Sequence, residues 1–242
     1  MNNLKNINIE IFADGADLNS MKELDKDKNI NGFTTNPSLM KKAGVTDYKK
    51  FAKEVLNNIK EKPVSFEIFS DELDEMYEQA NEIASWGKNV FVKIPITNSK
   101  GIKTSQLIKK LTDKGVKCNV TAILTIQQVK EIYEISNSKT EIIISIFAGR
   151  IADTGIDPMP IMKESVEMCK TKTNIKILWA STRELINIFQ ANKLNCHIIT
   201  VPNEILKKIS SIGKDLNQLS LETVNMFLSD ATKAGFKIEI EK

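Results

Sequence analysis

Lys93 interrupts an apolar run of strand-forming residues at positions 90–96. Such a run, with turn residues on both sides, is typical of a strand that is buried on both faces. Burial removes the ammonium from water and lowers the pKa of the amine, unless an acid pairs with it. An uncharged amine is a nucleophile that can form a Schiff base with a carbonyl compound. The alternative interpretation is a lysine that reaches the strand end, which Pro95 indicates is close, and pairs there with an acid.

Three further polar side chains interrupt neighbouring apolar strands in the same way. Glu67, Asn119 and Ser145 each stand in a run of the Val and Ile residues that normally fill a barrel interior. Together with Lys93 they occupy four successive strands, which predicts one shared polar site. More polar residues follow the strand ends, and these are Asp14, Thr34, Thr35, Asn36, Thr121, Arg150, Ser181 and Arg183.

Each of these residues also has an ordinary interpretation when it is taken alone. Asp14 could start a turn or cap a helix, and Asn36 before proline is typical of a strand-to-helix turn. Ser181 could be the N-cap of a helix that begins at Arg183. Thr121 could be a β-branched strand residue, and the arginines could form surface salt bridges.

The residue types suggest a division of labour around Lys93. An iminium on this lysine is an electron sink that permits cleavage of a neighbouring carbon–carbon bond. Asp14 or Glu67 could take the proton from the hydroxyl of the leaving aldehyde, and Thr121 could help Glu67 to hold a water.

The other polar side chains suit substrate binding. Asn36, Asn119 and Ser145 can donate and accept hydrogen bonds, as sugar hydroxyls require. Arg150, Ser181 and Arg183 could bind a phosphate at a helix N-terminus, since guanidinium groups and helix N-termini both attract anions.

The elements that must position these residues alternate regularly along the chain. Because a crossover helix is the usual connection between parallel strands, this order predicts a parallel sheet. Eight units in 242 residues predict an α/β fold, a single-domain (βα)8 TIM barrel with an extra helical tail at about 203–242. An open doubly wound sheet is the alternative, but no G-x-G-x-x-G turn is present. The predicted strands are residues 7–13, 30–35, 64–69, 90–96, 117–122, 141–147, 175–180 and 196–200, and the predicted helices are residues 18–28, 37–43, 48–60, 73–86, 102–114, 126–136, 160–169, 183–191 and, in two pieces, 203–235.

Composition excludes several other classes of protein. The net charge of +3 argues against nucleic acid as the main partner and favours small anionic ligands. No apolar run approaches membrane-spanning length, and we expect no membrane association. The first six residues do not resemble a signal peptide. Three widely spaced cysteines and a lone His197 make no metal-ligand pattern, and reduced thiols indicate the cytoplasm.

The motifs resemble those of the transaldolase family of class I aldolases, in its short form. The similarity covers nearly the whole chain in the family's order. The matching segments are A-D-G-A-D at 13–17, G-F-T-T-N-P-S-L at 32–39, V-K-I-P at 92–95, C-N-V-T at 118–121, S-I-F-A-G-R at 145–150, A-S-T-R at 180–183 and L-E-T-V at 221–224.

This resemblance implies a (βα)8 barrel that uses no metal or organic cofactor. It implies that Lys93 forms the Schiff base, that Asp14 is the acid/base at bond cleavage, and that Glu67 and Thr121 act through a water. By the same resemblance, the dihydroxyacetone unit is held by Asn36, Asn119 and Ser145, and the phosphate by Arg150, Ser181 and Arg183.

The implied reaction transfers a dihydroxyacetone unit between phosphorylated sugars of the pentose phosphate pathway, such as sedoheptulose 7-phosphate and fructose 6-phosphate. Fructose-6-phosphate aldolases resemble the chain in length but tend to carry glutamine and tyrosine where it has Glu67 and Phe147, so Phe147 joins the predicted site. An aldolase, a transaldolase for a modified sugar and a non-catalytic sugar-phosphate-binding barrel are the alternatives. Short relatives are dimers, pentamers or decamers, so we expect a homo-oligomer. The tail at 203–235 is apolar enough to pack on its own barrel or on a neighbour.

Overall fold

Eight parallel strands form a closed barrel in the computed structural model, which describes residues 4–240. Each strand pairs with the next along the chain, and the last pairs with the first, from Glu10 beside Ile198 to Asp14 beside Pro202. The predicted TIM barrel is therefore confirmed. The strands are β1 (Glu10–Asp14), β2 (Gly32–Thr34), β3 (Val64–Glu67), β4 (Val90–Pro95), β5 (Cys118–Ile123), β6 (Ile142–Ile146), β7 (Ile175–Trp179) and β8 (Ile198–Pro202).

The helices that connect successive strands pack their apolar faces on the barrel, and the last two helices follow the last strand. Five of the eleven helices within residues 4–240 begin at a side-chain cap; Thr125 and Gln128, for example, form a reciprocal capping box at the start of one helix. The helices are α1 (Leu18–Asp25), α2 (Pro37–Lys42), α3 (Tyr48–Asn58), α4 (Leu73–Ala84), α5 (Ser105–Asp113), α6 (Ile126–Ile135), α7 (Ala148–Ala152), α8 (Met159–Cys169), α9 (Ile186–Lys193), α10 (Asn203–Leu206) and α11 (Leu216–Ala234), with a 3₁₀ segment, Lys207–Ser211, before α11. Within residues 4–240, no helix has the length and apolarity needed to cross a membrane.

Two differences from the predicted helices affect the segments after β6 and β7. The short helix α7 was not predicted, because five residues are too few to show a helical period. Helix α9 begins at Ile186 rather than at Arg183. The side-chain oxygen of Asn187 accepts the backbone N–H groups of Arg183 and Glu184, at 3.0 Å each, so these two residues stay in the loop.

Alternation along the strands sorts the apolar residues into two cores. The larger core lies between the strands and the helices and contains, for example, Val92 and Ile94 of β4. The smaller one fills the barrel interior and includes Phe12, Phe91, Ile143, Leu178, Ala180 and Ile198. Phe91, Ile143 and Ile198 lie near the amino-terminal ends of their strands. Leu178 and Ala180 lie at and just past the carboxyl end of β7, so the apolar interior core extends along this strand.

Ion pairs surround the amino-terminal opening of the barrel. Lys176 of β7 lies 2.6 Å from Glu10 of β1, and Lys117 lies 3.0 Å from Glu141. This end of a TIM barrel ordinarily serves stability, whereas active sites occupy the carboxyl-terminal end.

The interior core predicts that Gly32 is needed to make room for Phe12. A Cβ atom on Gly32 would lie 2.7–2.8 Å from three atoms of the Phe12 ring. We expect Gly32→Ala to lower the free energy of unfolding by about 2 kcal/mol, measured by urea denaturation. In a Phe12→Leu background the same substitution should lower the free energy of unfolding less, since leucine lacks the ring atoms that the added methyl group would meet. An equal cost in both backgrounds would show that this crowding is relieved elsewhere.

Candidate active site

Lys93 lies inside the barrel and is 7% exposed. Its Nζ atom donates hydrogen bonds to the backbone carbonyl of Thr35, at 2.7 Å, and to Oε2 of Glu67, at 3.2 Å. Glu67 and Lys93 are register partners on β3 and β4, so their side chains lie next to each other. The predicted burial of Lys93 is confirmed, and the acid partner of the alternative interpretation is also present. An ammonium has three N–H donors, so one remains for a ligand.

Asp14 ends β1 beside this ion pair. Burial raises the pKa of the Asp14 carboxyl above its ordinary value of 3.8. The charge of Lys93 and a 2.8 Å hydrogen bond from the hydroxyl of Thr34 act in the opposite direction, and Glu67 adds to the increase. A carboxyl whose pKa is raised in this way is suited to taking and returning a proton.

Asn119 and Ser145 form a buried hydrogen-bond network with a third residue. The Ser145 hydroxyl donates to Oδ1 of Asn119 at 2.6 Å, and the Asn119 amide donates to the Ser65 hydroxyl at 3.0 Å. All three side chains are at most 3% exposed. Sequence reasoning missed Ser65, although it precedes Glu67 by two residues and therefore faces the same side of β3.

Thr121 lies within an irregular segment of β5. The register between β5 and β6 shifts between Val120 and Ile123, and Ala122 adopts the left-handed conformation with φ 60°. Irregularities of this kind change the direction of a side chain and are common beside active sites. Thr121 is 2% exposed, and its hydroxyl has no hydrogen-bond partner among the described residues. Among the described residues, it is a buried hydroxyl whose hydrogen-bonding capacity is unused.

The loop after β7 lies directly against α7. A Cβ atom on Gly149 would be 1.7 Å from the carbonyl oxygen of Ser181, so only glycine fits there. Ser181 itself has φ 63°, in the left-handed region that a serine rarely adopts. Ser181 is not the cap of α9, because α9 begins five residues later. The prediction that a helix N-terminus lies at Ser181 is therefore wrong. The missing side chain of Gly149 is what allows the Ser181 carbonyl to lie this close to α7.

The two predicted arginines follow β6 and β7 and lie on this side of the barrel. Arg183 donates to both carboxylate oxygens of Asp153, from Nη2 at 2.5 Å and from Nε at 3.3 Å, and this lowers the pKa of Asp153. The alternative interpretation of Arg183 as a member of a salt bridge is thus observed. The guanidinium of Arg150 is exposed and lies 5.9 Å from the ring centre of Phe147, which packs on the interior core.

Asn36 ends the loop that follows β2. It is the N-cap of α2, and its Oδ1 atom accepts the backbone N–H of Leu39 at 3.0 Å. The ordinary interpretation of this residue is therefore observed. Its amide N–H groups have no acceptor among the described residues, so they remain available to a ligand and its predicted role in binding stays a prediction.

An aromatic cluster supports Glu67 from outside the barrel. The hydroxyl of Tyr48 donates to the backbone carbonyl of Glu67 at 2.9 Å. Burial raises the pKa of Tyr48, so the phenol remains a donor. Its ring lies 4.6 Å from Phe69 and 5.6 Å from Trp86, between ring centres. Sequence reasoning missed Tyr48, since it lies at the start of α3, 19 residues before its partner.

Comparison with known proteins identifies the family. Residues 11–240 match the family described as Transaldolase/Fructose-6-phosphate aldolase. Relatives named "Probable transaldolase" include one from Thermoanaerobacter sp. (strain X514), 33% identical over 95% of this chain and 100% of the relative. Another, from Dehalococcoides mccartyi, is 33% identical over 83% of this chain and 90% of the relative. A "Probable transaldolase 1" from Bacillus cereus is 31% identical over 95% of this chain and 100% of the relative.

A solved structure supports the fold alone. A protein from Burkholderia cenocepacia J2315 described as a lyase/mutase superposes with a TM-score of 0.58 and 12% identity, over 94% of this chain and 84% of that chain. The closed (βα)8 barrel, with a buried lysine 3.2 Å from a carboxylate, places the protein among the TIM-barrel proteins. The chain belongs to the transaldolase/fructose-6-phosphate aldolase family and is an enzyme of that kind.

The unpartnered hydroxyl of Thr121 predicts an unusual stability effect. Thr121→Val removes a buried polar atom that makes no bond, so we expect the free energy of unfolding to stay constant or to rise by about 1 kcal/mol. Thr104→Val is the matched control, since the hydroxyl of buried Thr104 donates to the Pro95 carbonyl at 2.5 Å. The control should lose about 1–2 kcal/mol in urea denaturation. Equal losses in both variants would mean that Thr121 has a structural partner.

Proposed function

We propose that the protein is a transaldolase that transfers a dihydroxyacetone unit from a ketose phosphate to an aldose phosphate. Sedoheptulose 7-phosphate and fructose 6-phosphate are the proposed donors, and a Schiff base on Lys93 is the proposed intermediate. The observation that supports this most is an amine 7% exposed, 3.2 Å from a carboxylate, inside a barrel of this family. The reaction would belong to the pentose phosphate pathway in the cytoplasm, and the three buried free cysteines fit that compartment.

The first steps attach the donor to Lys93. Glu67, 3.2 Å from Nζ, can take the proton that the amine must lose before it attacks the ketose carbonyl. The attack gives a carbinolamine, and loss of one water gives the iminium. Glu67 and the unpartnered hydroxyl of Thr121 would exchange the protons of that dehydration through a water.

Asp14 then acts at the carbon–carbon bond. Its carboxylate takes the proton of the hydroxyl on the carbon that leaves, and the electron pair of the broken bond moves into the iminium to give an enamine. The leaving part departs as an aldehyde. In the second half, the enamine attacks the acceptor aldehyde, Asp14 returns its proton to the new hydroxyl, and hydrolysis frees Lys93. The raised pKa of Asp14 suits both directions of this proton transfer. The iminium is the electron sink, so the scheme needs no metal or organic cofactor.

The remaining polar side chains would hold the substrate. Asn119 and Ser145 keep a fixed mutual orientation, and with the Asn36 amide they suit the hydroxyls of the dihydroxyacetone unit. The phosphate would be bound by Arg150, Ser181 and Arg183. Arg183 would either leave Asp153 for the phosphate or contact both groups at once. Phe147 lacks the hydroxyl that could protonate a free intermediate, and this supports transfer over release.

Borohydride trapping tests the proposed Schiff base. With fructose 6-phosphate and borohydride, we expect one adduct, mapped by mass spectrometry to Lys93. Lys93→Met should abolish the adduct and lower turnover at least a thousandfold or so, because the covalent route is lost. Lys176→Met is the control, since Lys176 pairs with Glu10 at the other end of the barrel.

Turnover assays with and without an acceptor, together with the trapping experiment, separate the alternatives. Turnover that requires an acceptor aldose phosphate is the result expected of a transaldolase, and release of free dihydroxyacetone without acceptor would indicate an aldolase. An adduct on another lysine, or turnover unchanged in Lys93→Met, would disprove the mechanism. Ligand affinity without any turnover of the wild-type protein would indicate a non-catalytic sugar-phosphate-binding barrel.

We also propose that the enzyme is a homo-oligomer, a dimer, pentamer or decamer, formed through α11. No residue of this 19-residue helix is buried. Apolar surface of this extent on one helix is typical of a protein–protein interface. A second copy of this chain is the proposed occupant. The exposed apolar side chains of the helix include Leu216 (76% exposed), Phe227 (63%) and Leu228 (66%), together with Leu221, Val224 and Met226.

Light scattering tests the oligomer. We expect a mass at least twice the 27.2 kDa of one chain. Phe227→Glu combined with Leu228→Glu should give the single-chain mass, since burying two carboxylates in an apolar contact is costly. Asn225→Glu is the control on the same helix and should leave the mass unchanged. A wild-type protein of 27.2 kDa would contradict the proposal.

A further inference from the structure

Thr200 makes a contact that the scheme above does not use. It lies on β8, 5% exposed, and its hydroxyl oxygen is 2.5 Å from the hydroxyl oxygen of Thr34 on β2. Strand β1 lies between these two strands, so the contact reaches across the strand that ends in Asp14. Thr34 in turn donates to Oδ1 of Asp14 at 2.8 Å. The two threonines and the aspartate therefore form a continuous chain of hydrogen bonds.

A count of protons fixes the direction of this chain. An ionised carboxylate only accepts hydrogen bonds, so the proton between Thr34 and Asp14 belongs to Thr34. A threonine hydroxyl has a single proton. The bond between the two threonines must then use the proton of Thr200, so Thr200 donates to Thr34.

We infer that Thr200 is a positioning residue for Asp14. It holds the hydroxyl of Thr34 in the orientation that donates to Oδ1, which leaves Oδ2 as the oxygen that exchanges a proton. Within residues 4–240, Oδ2 of Asp14 has no hydrogen-bond partner. The part of this inference that concerns proton exchange with substrate rests on the proposed function, and the part that concerns the Asp14 carboxyl does not.

The surroundings of Thr200 disfavour hydrogen bonds donated in the opposite direction, from Asp14 to Thr34 and from Thr34 to Thr200. A proton on Oδ1 of Asp14 would turn Thr34 toward Thr200, and the proton of Thr200 would then need a new acceptor. Thr200 is 5% exposed, and its hydroxyl has no other partner in the described part of the chain. The backbone near Thr200 is also held, because its carbonyl accepts the Thr182 hydroxyl at 2.7 Å. The chain therefore opposes a proton on Oδ1 and leaves Oδ2 as the oxygen that takes the proton.

Two charged groups face Asp14 besides this chain. Lys93 lowers the pKa of Asp14, and Glu67 raises it. A substitution at Thr200 leaves both of them in place, so a change in the titration of Asp14 can be assigned to the hydroxyls. The direction of the change in the pKa of Asp14 follows from the hydrogen bond that Thr34 donates. A weaker hydrogen bond from Thr34 stabilises the carboxylate less, so the pKa of Asp14 rises and the acid limb of turnover moves to higher pH.

Carbon-13 NMR titration of the aspartate carboxyls in the full-length protein measures this without any substrate. The Asp14 signal is assigned by its loss in Asp14→Asn. We expect Thr200→Val and Thr200→Ala to raise its midpoint by roughly 0.5 pH unit, and Thr200→Ser to restore it. Alanine serves as the second variant because it adds no methyl group against Thr34. Thr140→Val is the matched control, since the hydroxyl of buried Thr140 donates to the Thr112 carbonyl and takes no part in the site.

Turnover gives the second measurement. In Thr200→Val we expect kcat on the acid side of the profile to fall about threefold, the factor that corresponds to 0.5 pH unit, with KM constant within roughly twofold. An unshifted Asp14 midpoint in both Thr200→Val and Thr200→Ala would overturn the inference. The same shift in Thr200→Ser or in Thr140→Val would overturn it too, since packing would then be the cause. A shifted midpoint in a protein that never turns over sugar phosphates would retain the role of Thr200 and reject the transaldolase.

Discussion

The amine of Lys93 can stay inside the barrel only because two groups accept its hydrogen bonds. One is the carbonyl of Thr35 at the end of β2, and the other is the carboxylate of Glu67, its register partner on β3. Taking an ammonium out of water without such partners costs several kcal/mol. Closure of the barrel brings both acceptors to the same point, so the fold and the reactive group depend on each other. The Tyr48 hydroxyl, bonded to the Glu67 carbonyl, fixes the strand end that carries this acceptor.

A polar interior is tolerated in this barrel because its polar groups are paired across strands. Ser145 bonds to Asn119, and Asn119 bonds to Ser65, so three strands are linked by two hydrogen bonds inside the barrel. Each partner offsets the desolvation of the other, which an isolated buried amide or hydroxyl could not achieve. The apolar interior core and the ion pairs at the amino-terminal opening supply stability without taking part in the proposed chemistry.

Several features at the proposed catalytic end of the barrel lower the stability of the fold. The buried hydroxyl of Thr121 has no partner among residues 4–240, and Ala122 and Ser181 hold left-handed backbone conformations that cost of order 1–3 kcal/mol each. Burial of Asp14 raises its pKa, which means that its ionised form is less favourable than in water. Such features persist where the surrounding structure enforces them, and they concentrate at functional sites. The contact of Gly149 with the Ser181 loop is one such enforcement.

The regular alternation of strands and helices in the sequence determined the barrel, and an apolar run around Lys93 determined that its amine is buried. Both are local patterns, because side-chain period and strand composition are properties of neighbouring residues. Only the tertiary structure decided which groups meet. Ser65 and Asn119 are 54 residues apart, and Thr34 and Thr200 are 166 residues apart. Single serines and threonines within strands resemble ordinary filler in the sequence, and it is barrel closure and strand register that bring them into contact.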